Sequence, residues 1–338
     1  EFFDIVGNVW QWTQTPIDGL PGFEVHEVYD DFSTPTFDGQ HNLIKGGSYF
    51  STGNSALKDS RYAFRRHFFQ HAGFRYVEGE EPIITTSNPY ETDEQVSQYI
   101  EFHFGSDYHG VPNFAGACGT LCLEYFAATT EKKQSRRALD LGCAIGRTSF
   151  ELAREFDHVD GIDFSARFVS AATQLKENDS KRYTIRDEGD LFSFKETSLA
   201  EHGLAETAHK CEFWQGDACN LSDKFSNYDL VFAGNLIDRL YEPEKFVSRI
   251  HELVNEDGLL VITSPYTWLS EFTDQENWIG GYKRDGENFT TLDGLKELLA
   301  LHFDLVDEPR DVPFVIRETA RKFQHSVAQM SVWHKRTK

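Results

Sequence analysis

The sequence predicts an α/β fold in which helices cover both faces of a mostly parallel sheet. Three observations predict it. A short apolar run at 137–141 ends in a glycine-rich turn and passes directly into an amphipathic helical pattern that reaches Ala153. Further apolar runs follow at the spacing that alternating strands and helices require. Residues 1–78 have a different composition, rich in glycine, proline, asparagine and aspartate, and predict a separate, irregular module.

The first predicted strand and its turn have the sequence RALDLGCAIGRTSFELA over 137–153. Gly142 and Gly146 let the backbone approach a ligand, and the N-terminus of the next helix offers unpaired N–H groups. Phosphate-binding loops need G-x-G-x-x-G or G-x-x-x-x-G-K-[ST], and this turn has neither pattern. The pattern D-x-G-x-x-x-G, which begins at Asp140, instead resembles motif I of the class I S-adenosyl-L-methionine (SAM) methyltransferases.

Acidic residues end the next two predicted strands. The run at 158–163 predicts a strand that ends in Asp163, about twenty residues past the first glycine, where a carboxylate can accept both hydroxyls of a ribose. A helix cap or a turn is the alternative role for this aspartate. Residues 213–217 predict the third strand, and the resemblance implies that Asp217 accepts the amino group of adenine.

The fourth and fifth strands are predicted at 228–235 and 258–264, on either side of a helix at 243–254. Ligands of such sheets bind beyond the carboxyl ends of the strands. Asn235 and Tyr266 stand just past these ends, so the topology alone predicts that they line the site. Residues 303–306 and 326–334 fit the closing β-hairpin that the resemblance implies at the edge of the sheet, so that the class I fold it implies is a seven-stranded, mostly parallel sheet.

Composition narrows the classes of partner. A formal net charge of −22 over 338 residues disfavours nucleic-acid substrates. No apolar run is long enough for a membrane span, and no export signal is found at the start. The five cysteines are odd in number and lack paired C-x-x-C spacing, which predicts reduced thiols in a cytoplasmic protein. Because the chain starts at Glu1 and its single methionine, Met330, is internal, we expect it to be part of a longer protein.

The first module carries a second ordered series of motifs. They are G-N-V-W-Q-W from Gly7, K-G-G-S from Lys45 and G-F-R from Gly73. Together they resemble the C-terminal part of the formylglycine-generating-enzyme fold, which has little regular structure. The predicted domains are therefore a partial module at 1–78, a linker at 79–94 with prolines and acidic residues, and a methyltransferase domain at 95–338.

Two histidines in this module raise the question of a metal site. His67 and His71 have the i, i+4 spacing of two ligands on one helical face. No glutamate follows His67 directly, and no carboxylate after His71 completes a two-His-one-carboxylate set. Packing in a strand or loop is the favoured interpretation, and no metal is predicted.

The segment before the glycine-rich turn predicts two helices, at 95–104 and 118–128. In class I methyltransferases this segment commonly folds over the active site as a lid, so the resemblance implies that it contributes to substrate binding. Ordinary packing in the core is an equally weighted interpretation of its aromatic residues.

The two resemblances combined are those of the ovothiol-biosynthesis family, in which a 5-histidylcysteine sulfoxide synthase is fused to a 5-mercaptohistidine methyltransferase. The synthase of that family holds non-haem iron with an H-x-x-x-H-x-E motif, which this sequence lacks because Gly73 stands at the glutamate position. The family resemblance implies that the chain takes SAM and 5-thiohistidine and methylates the imidazole nitrogen nearest the side chain. It also implies that an iron-dependent synthase module precedes the chain in the full-length protein.

Predicted roles follow from the strand ends and the resemblance. If the substrate must lose a proton, Asp238, Tyr266 and His103 are the candidate bases, and the sequence does not rank them. Arg239 is predicted to bind a substrate carboxylate through two hydrogen bonds, and an exposed position on the surface is the alternative. Other methyltransferase substrates, small molecules or proteins, and a noncatalytic SAM-binding module remain as rival functions. The predicted catalytic residues are Asp238, Tyr266 and His103; the cofactor residues are Asp140, Gly142, Cys143, Gly146, Asp163, Phe164, Asp217, Ala218 and Asn235; the substrate residues are Tyr99, Phe104, Asn113, Phe114, Arg239 and Trp268.

Overall fold

The structure is a computed structural model. It describes residues 6–17, 36, 40–57, 59–68, 70–76, 92–129 and 135–337. The chain divides into two compact units, Glu1–Pro89 and Tyr90–Lys338. The predicted linker at 79–94 lies outside the described residues except for its last three positions.

The first unit contains more regular structure in its described residues than the sequence predicts. Four short strands, β1 (Trp10–Pro16), β2 (His41–Lys45), β3 (Tyr62–Arg65) and β4 (Ala72–Phe74), form a sheet in the order β3-β2-β1-β4. Trp10 and Ile44 are its buried apolar residues. His67 lies in the turn after β3 and His71 just before β4, so the two rings do not share a helical face.

The helices and strands of the second unit are α1 (Asp93–Phe104), α2 (Phe114–Thr129), β5 (Arg137–Leu141), α3 (Arg147–Leu152), β6 (His158–Asp163), α4 (Ala166–Asn178), β7 (Ser180–Glu188), β8 (Leu191–Ser198), β9 (Cys211–Gln215), β10 (Tyr228–Gly234), α5 (Pro243–Arg249), β11 (Val254–Ser264), β12 (Tyr282–Arg284), β13 (Glu287–Phe289), α6 (Thr291–Leu299), β14 (Phe303–Leu305), β15 (Arg310–Arg317) and β16 (Phe323–Lys335).

The second unit is built on one large sheet. Its strands run in the order β14-β16-β11-β10-β5-β6-β9, and β15 also pairs with β16. The five strands from β11 to β9 pair in parallel, whereas β16 is antiparallel to its neighbours. The predicted α/β fold with a mostly parallel sheet is confirmed.

Eight strands fill the seven predicted rows of this sheet. β14 pairs with 333–335 of β16, and β15 pairs with 323–330 of the same long strand. The two short strands therefore share one edge row that is interrupted at 306–309. The predicted closing hairpin is present, with this interruption in its first strand.

Helices pack on both faces, as a doubly wound sheet requires. One core contains Ile100 of α1, Phe114 of α2, Phe150 of α3 and Phe168 of α4. The other contains Phe246 of α5 and residues of α6. Within the described part of the chain, no helix is long and apolar enough to cross a membrane.

Local signals explain where several elements differ from the predicted bounds. α2 begins at Phe114, four residues before its predicted start, because the Asn113 side chain accepts a hydrogen bond from the amide of Gly116 at 3.0 Å. α5 ends at Arg249 and continues as a single 3₁₀ turn, so it is shorter than predicted. The β7–β8 hairpin is absent from the prediction, although Tyr183 and Ile185 alternate with polar residues in it and are buried.

Candidate active site

The carboxyl ends of β5, β6, β9, β10 and β11 meet at one edge of the parallel sheet. Three residues that are not glycine adopt a left-handed backbone at this edge: Ala144 (φ 45°), Asn235 (φ 50°) and Tyr266 (φ 54°). Such conformations cost free energy and concentrate at functional sites. The edge is therefore the candidate active site, as the topology predicts.

The glycine-rich turn is fixed to the end of β6. The amides of Gly142 and Cys143 donate to the carbonyl of Ile162 at 2.8 and 3.1 Å. Gly146 caps α3 with φ 82°, and a Cβ there would lie 2.6 Å from the ring of Phe213. Close packing of α3 on β9 is therefore a reason for this glycine that the sequence prediction, based on ligand approach, did not include.

Asp163 joins the same turn to the start of α4. Its Oδ2 accepts the Ala144 amide at 2.9 Å, and its Oδ1 accepts the Ser165 amide at 2.8 Å. The carboxylate thus lies at the strand end where the sequence places it, held by backbone on both sides. Phe164 follows half-buried, and its carbonyl accepts the side chain of Gln215 on β9 at 3.0 Å.

Asp140 lies within β5, in the interior of the sheet, two residues before the glycine-rich turn begins at Gly142. It is 2% exposed, and its Oδ2 accepts the Ser149 hydroxyl at 2.6 Å. Burial raises the pKa of Asp140 to about 7 despite this hydrogen bond, and the nearby charge of Asp163 adds to the rise. The predicted direct contact with a cofactor is not supported by this burial. The position of Asp140 indicates that it supports the turn from below.

Asp217 follows β9 and is nearly buried. Its Oδ1 accepts the Cys219 amide at 2.9 Å and caps a short 3₁₀ turn that begins at Ala218. Its Oδ2 accepts the hydroxyl of Tyr241, from the segment after β10, at 2.7 Å. Burial raises the pKa of Asp217, whereas the Tyr241 hydrogen bond opposes the rise.

Asn235 connects the ends of β10 and β11. Its amide donates to the carbonyl of Thr263 at 2.8 Å, and its side-chain oxygen accepts the Thr263 hydroxyl at 3.2 Å. These bonds hold the left-handed backbone of Asn235 at the edge.

Asp238 and Arg239 have structural partners that the sequence did not reveal. Asp238 is 1% exposed and accepts from Ser264 at 2.9 Å, from the Thr267 hydroxyl at 3.0 Å and from Arg239 at 2.9 Å. Arg239 also donates to the Thr267 carbonyl at 2.8 Å and to its hydroxyl at 3.1 Å. This pair joins the segments after β10 and β11, which does not favour the predicted base and the predicted carboxylate clamp; both roles stay predictions.

Tyr266 and Trp268 follow β11. The Tyr266 amide donates to the Ser264 hydroxyl at 2.9 Å, and its own hydroxyl bonds Gln329 of β16 at 3.1 Å. Burial, with the charge of Asp238, raises the pKa of Tyr266, so the residue is a neutral phenol rather than a base. Trp268 donates to Thr291 at 2.9 Å and stacks on Trp278, which places its indole nitrogen against the start of α6.

His103 is a buried hydrogen-bond acceptor. Its Nδ1 accepts the amide of Arg147, the first residue of α3, at 3.4 Å. Burial, with the charge of Arg147, lowers the pKa of His103 to about 3. A base with that pKa takes up no proton near neutral pH, which does not favour the predicted catalytic role; that role stays a prediction. The neutral ring satisfies one of the unpaired amides at the helix N-terminus.

The predicted lid residues are largely packed inside the unit. Phe104 and Phe114 are 4% and 6% exposed, and Phe114 lies against Phe102 and Phe314. The side-chain nitrogen of Asn113 donates to the Phe102 carbonyl at 2.8 Å, in addition to its capping bond. Core packing is thus the interpretation that these three positions support. Tyr99 is half-buried, with its ring centroid 4.7 Å from that of Phe168.

Two polar residues at this edge were missed by the sequence prediction. Ser264 is the last residue of β11, so the rule that selected Asn235 would also have selected it. Tyr241 carries no such signal, because its contact with Asp217 joins loops that are 24 residues apart. Among the described residues, no group of three or more His, Cys, Asp and Glu side chains could hold a metal ion.

Residues 139–260 match the family model described as a methyltransferase domain. The chain therefore carries a methyltransferase domain, as the sequence predicts.

Among curated proteins, the chain is 36% identical to ergothioneine biosynthesis protein 1 of Schizosaccharomyces pombe over 73 residues, which are 22% of this chain and 9% of that protein. It is 42% identical to hercynine oxygenase of Mycobacterium tuberculosis over 45 residues, 13% of this chain and 10% of that protein.

A third relative is a methyltransferase. Ajmaline N-methyltransferase of Rauvolfia serpentina is 28% identical over 145 residues, which cover 43% of this chain and 40% of that protein. The matched parts thus span less than half the length of each of these three relatives.

Proposed function

We propose that the chain is a SAM-dependent N-methyltransferase that methylates the side-chain-proximal imidazole nitrogen of 5-thiohistidine and so forms ovothiol A. The observation that carries the methyl-transfer part is the junction of the glycine-rich turn with Asp163 at the strand ends. The similarity to two proteins named for ergothioneine biosynthesis and hercynine oxidation supports a substrate derived from histidine. The similarity to an N-methyltransferase supports nitrogen as the acceptor.

The residues at the edge suit a SAM molecule chemically. Asp163 stands at the end of β6 and is held by two backbone amides, and a carboxylate at such a strand end can accept the hydroxyls of a ribose. Asp217 is the acidic residue proposed to meet the amino group of adenine. Gly142, Cys143 and Asn235 would line the amino-acid end, with Phe164 and Ala218 beside the nucleoside.

When bound, SAM supplies a methyl group that its sulfonium already activates, so the protein's contribution is chiefly to position the acceptor and exclude water. None of the three predicted bases is suited to take a proton. Asp238 is buried and accepts three hydrogen bonds, His103 is a neutral acceptor and Tyr266 is a neutral phenol. We therefore propose that the mercaptoimidazole loses its proton without a protein base.

Choosing nitrogen over sulfur is the harder task for the proposed site. Sulfur is the softer nucleophile, so the protein must turn it away from the methyl group. Tyr99 and Tyr266 are half-buried aromatic residues, and Asn235 is a half-buried amide at the strand ends. We propose that these residues orient the imidazole, because each keeps part of its side chain accessible, whereas Phe104 and Phe114 are buried.

The test is a product assay with the purified chain, SAM and 5-thiohistidine, followed by NMR assignment of the methylated atom. We expect N-methyl product, with little turnover of histidine, the matched substrate that lacks the sulfur. Product methylated only on sulfur, or no product although SAM binds, would contradict the proposed substrate.

Two other functions are separated by comparing turnover of 5-thiohistidine with turnover of histidine and of protein substrates. A methyltransferase of another substrate would bind SAM and methylate one of these instead, whereas a noncatalytic module would bind SAM and methylate none of them. For the full-length protein, we propose that an iron-dependent sulfoxide synthase module precedes this chain. Iron analysis of this chain and of the longer protein tests that arrangement.

A further inference from the structure

Tyr241 combines an exposed ring with a fixed hydroxyl. The residue is 47% exposed, yet its hydroxyl donates to Oδ2 of the nearly buried Asp217 at 2.7 Å. Tyr241 belongs to the segment after β10, whereas Asp217 follows β9. The contact therefore bridges two neighbouring strand ends at the candidate active site.

The backbone around Tyr241 is held from a third strand end. The hydroxyl of the fully buried Thr273 donates to the Leu240 carbonyl at 2.6 Å, and the side chain of Asn277 donates to the Tyr241 carbonyl at 3.2 Å. Both donors belong to the segment after β11. Because three loops fix this position, the phenol is presented to Asp217 without needing to be ordered by a ligand.

We propose that Tyr241 is a positioning residue for adenine, which fixes the Asp217 carboxylate so that it accepts the exocyclic amino group. This inference rests on the proposed function, because it assumes an adenosyl ligand. The Cys219 amide and the Tyr241 hydroxyl fill two of the roughly four acceptor sites of the carboxylate. An ionised carboxylate can only accept hydrogen bonds, and an amino group donates them whereas a carbonyl does not. The acceptor sites that remain on Asp217 therefore favour a base with an amino group over one with a carbonyl at the same position.

The charges around Asp217 agree with this role. Burial raises its pKa, and the charge of Glu242 adds to the rise. The Tyr241 hydrogen bond, the Cys219 amide and the charge of Lys245 lower it. Tyr241 thus helps to keep the carboxylate ionised, which is the form that accepts a hydrogen bond from an amino group.

The experiment is calorimetric titration of wild type and Tyr241→Phe with two probes, S-adenosylhomocysteine and its inosyl analogue, which carries a carbonyl in place of the amino group. We expect about tenfold weaker binding of S-adenosylhomocysteine to the variant, since hydrogen bonds to charged groups are of that strength. The inosyl analogue should lose no affinity. Tyr282→Phe, at an exposed tyrosine of β12, is the matched control and should leave both affinities unchanged.

A pH profile supplies a second readout. The affinity for S-adenosylhomocysteine should fall as Asp217 becomes protonated, and in Tyr241→Phe that fall should begin at a higher pH. Equal losses for both probes, tighter binding by the variant, or an unchanged affinity and pH profile would each overturn the role of Tyr241. Failure of the wild type to bind S-adenosylhomocysteine would instead overturn the proposed function.

Discussion

Asp163 is the residue at which the glycine-rich turn, the end of β6 and the start of α4 meet. Its two backbone hydrogen bonds reach 19 residues back to Ala144 and two residues forward to Ser165. The alternative role of a helix cap or turn is thus partly realised, because the carboxylate orders its own neighbours. Asp163 also stands at the end of a parallel strand, where ligands of such sheets bind, so the proposed ribose contact stays a prediction beside this local role.

Replacing Asp163 with alanine should weaken the binding of SAM by about 1–3 kcal/mol, because the ribose hydroxyls would lose their acceptor. Calorimetric titration measures the affinity, and thermal unfolding without ligand measures the separate effect on local order. Asp190→Ala, at the exposed β7–β8 turn, is the matched control. An affinity equal to that of the wild type would count against the ribose assignment.

At the scale of elements, two hairpins hold α1 in place. The β15–β16 hairpin extends beyond the end of β11 at Ser264. From Asp311, which lies in the same row of the sheet as Ser264, to Arg317 it covers about 20 Å, at roughly 3.3 Å per residue. Arg317 pairs with Asp187 of β7 at 2.6 Å. Between these hairpins, the buried Glu101 of α1 accepts from Tyr183 at 2.6 Å and from Lys195 at 2.7 Å. The predicted lid helix is therefore fastened by a buried polar network.

The Glu101 network should be one of the strongest links between elements of this unit. Burial raises the pKa of Glu101, but hydrogen bonds from Lys195, Tyr108 and Tyr183 outweigh burial and lower it overall. We expect Glu101→Ala to reduce the free energy of unfolding by about 3–5 kcal/mol, because its buried partners lose their acceptor. Chemical denaturation measures this change.

Glu94→Ala on the same helix is the control for this prediction. Its partner is Arg186 at 3.1 Å, and the Glu94 side chain is 60% exposed. An exposed ion pair contributes about 1 kcal/mol or less, so the control should change stability little. Equal effects of the two substitutions would show that Glu101 does not fasten α1.

At the scale of the whole molecule, the second unit contains every residue of the candidate site, and the chain carries a net charge of −22. All five cysteines are free and buried, and burial raises the pKa of each thiol. Thiols of this kind are inert toward oxidation and metal binding. The side chains of the cysteines are thus packed in the interior, and a cytoplasmic location stays a prediction.

Asp140 makes the stability of the whole domain depend on pH. Its pKa is about 7 in the folded chain, against a reference value of 3.8, so the folded state holds the proton more tightly. The contribution to stability is therefore present below about pH 4 and is lost as the pH rises toward 7, by up to about 1.4 kcal/mol per pH unit. Asp140→Asn should remove this part of the pH dependence.

Urea denaturation of wild type and Asp140→Asn between pH 4 and pH 8 tests this prediction. The stability difference between the two proteins should change steadily from about pH 4 to about pH 7 and level off above that. Asp190→Asn is the control and should follow the wild-type curve. Parallel curves for Asp140→Asn and wild type would mean that Asp140 is ionised in the folded state.

Local sequence was sufficient for the strand, turn and helix at 137–153. Glycine conformations and apolar periodicity act over a few residues, and the same holds for the ends of β6 and β10, where Asp163 and Asn235 lie as predicted. The third strand was predicted two residues too far along the chain, so Asp217 lies just after β9 rather than at its last position. The order of these segments along the chain then determined the parallel sheet and the edge at which ligands bind. Their proposed roles with SAM stay predictions.

Only the tertiary structure decided which polar side chains are already engaged. His103 meets the amide of Arg147 across 44 positions of sequence, Asp238 meets Ser264 across 26, and Tyr241 meets Asp217 across 24. Periodicity and motifs carry no information about such pairs, because each depends on how separate loops pack. Residue type therefore does not tell which polar residues support this site and which can contact a ligand. That distinction depends on how deeply each side chain is buried and on whether a residue distant in sequence already bonds to it.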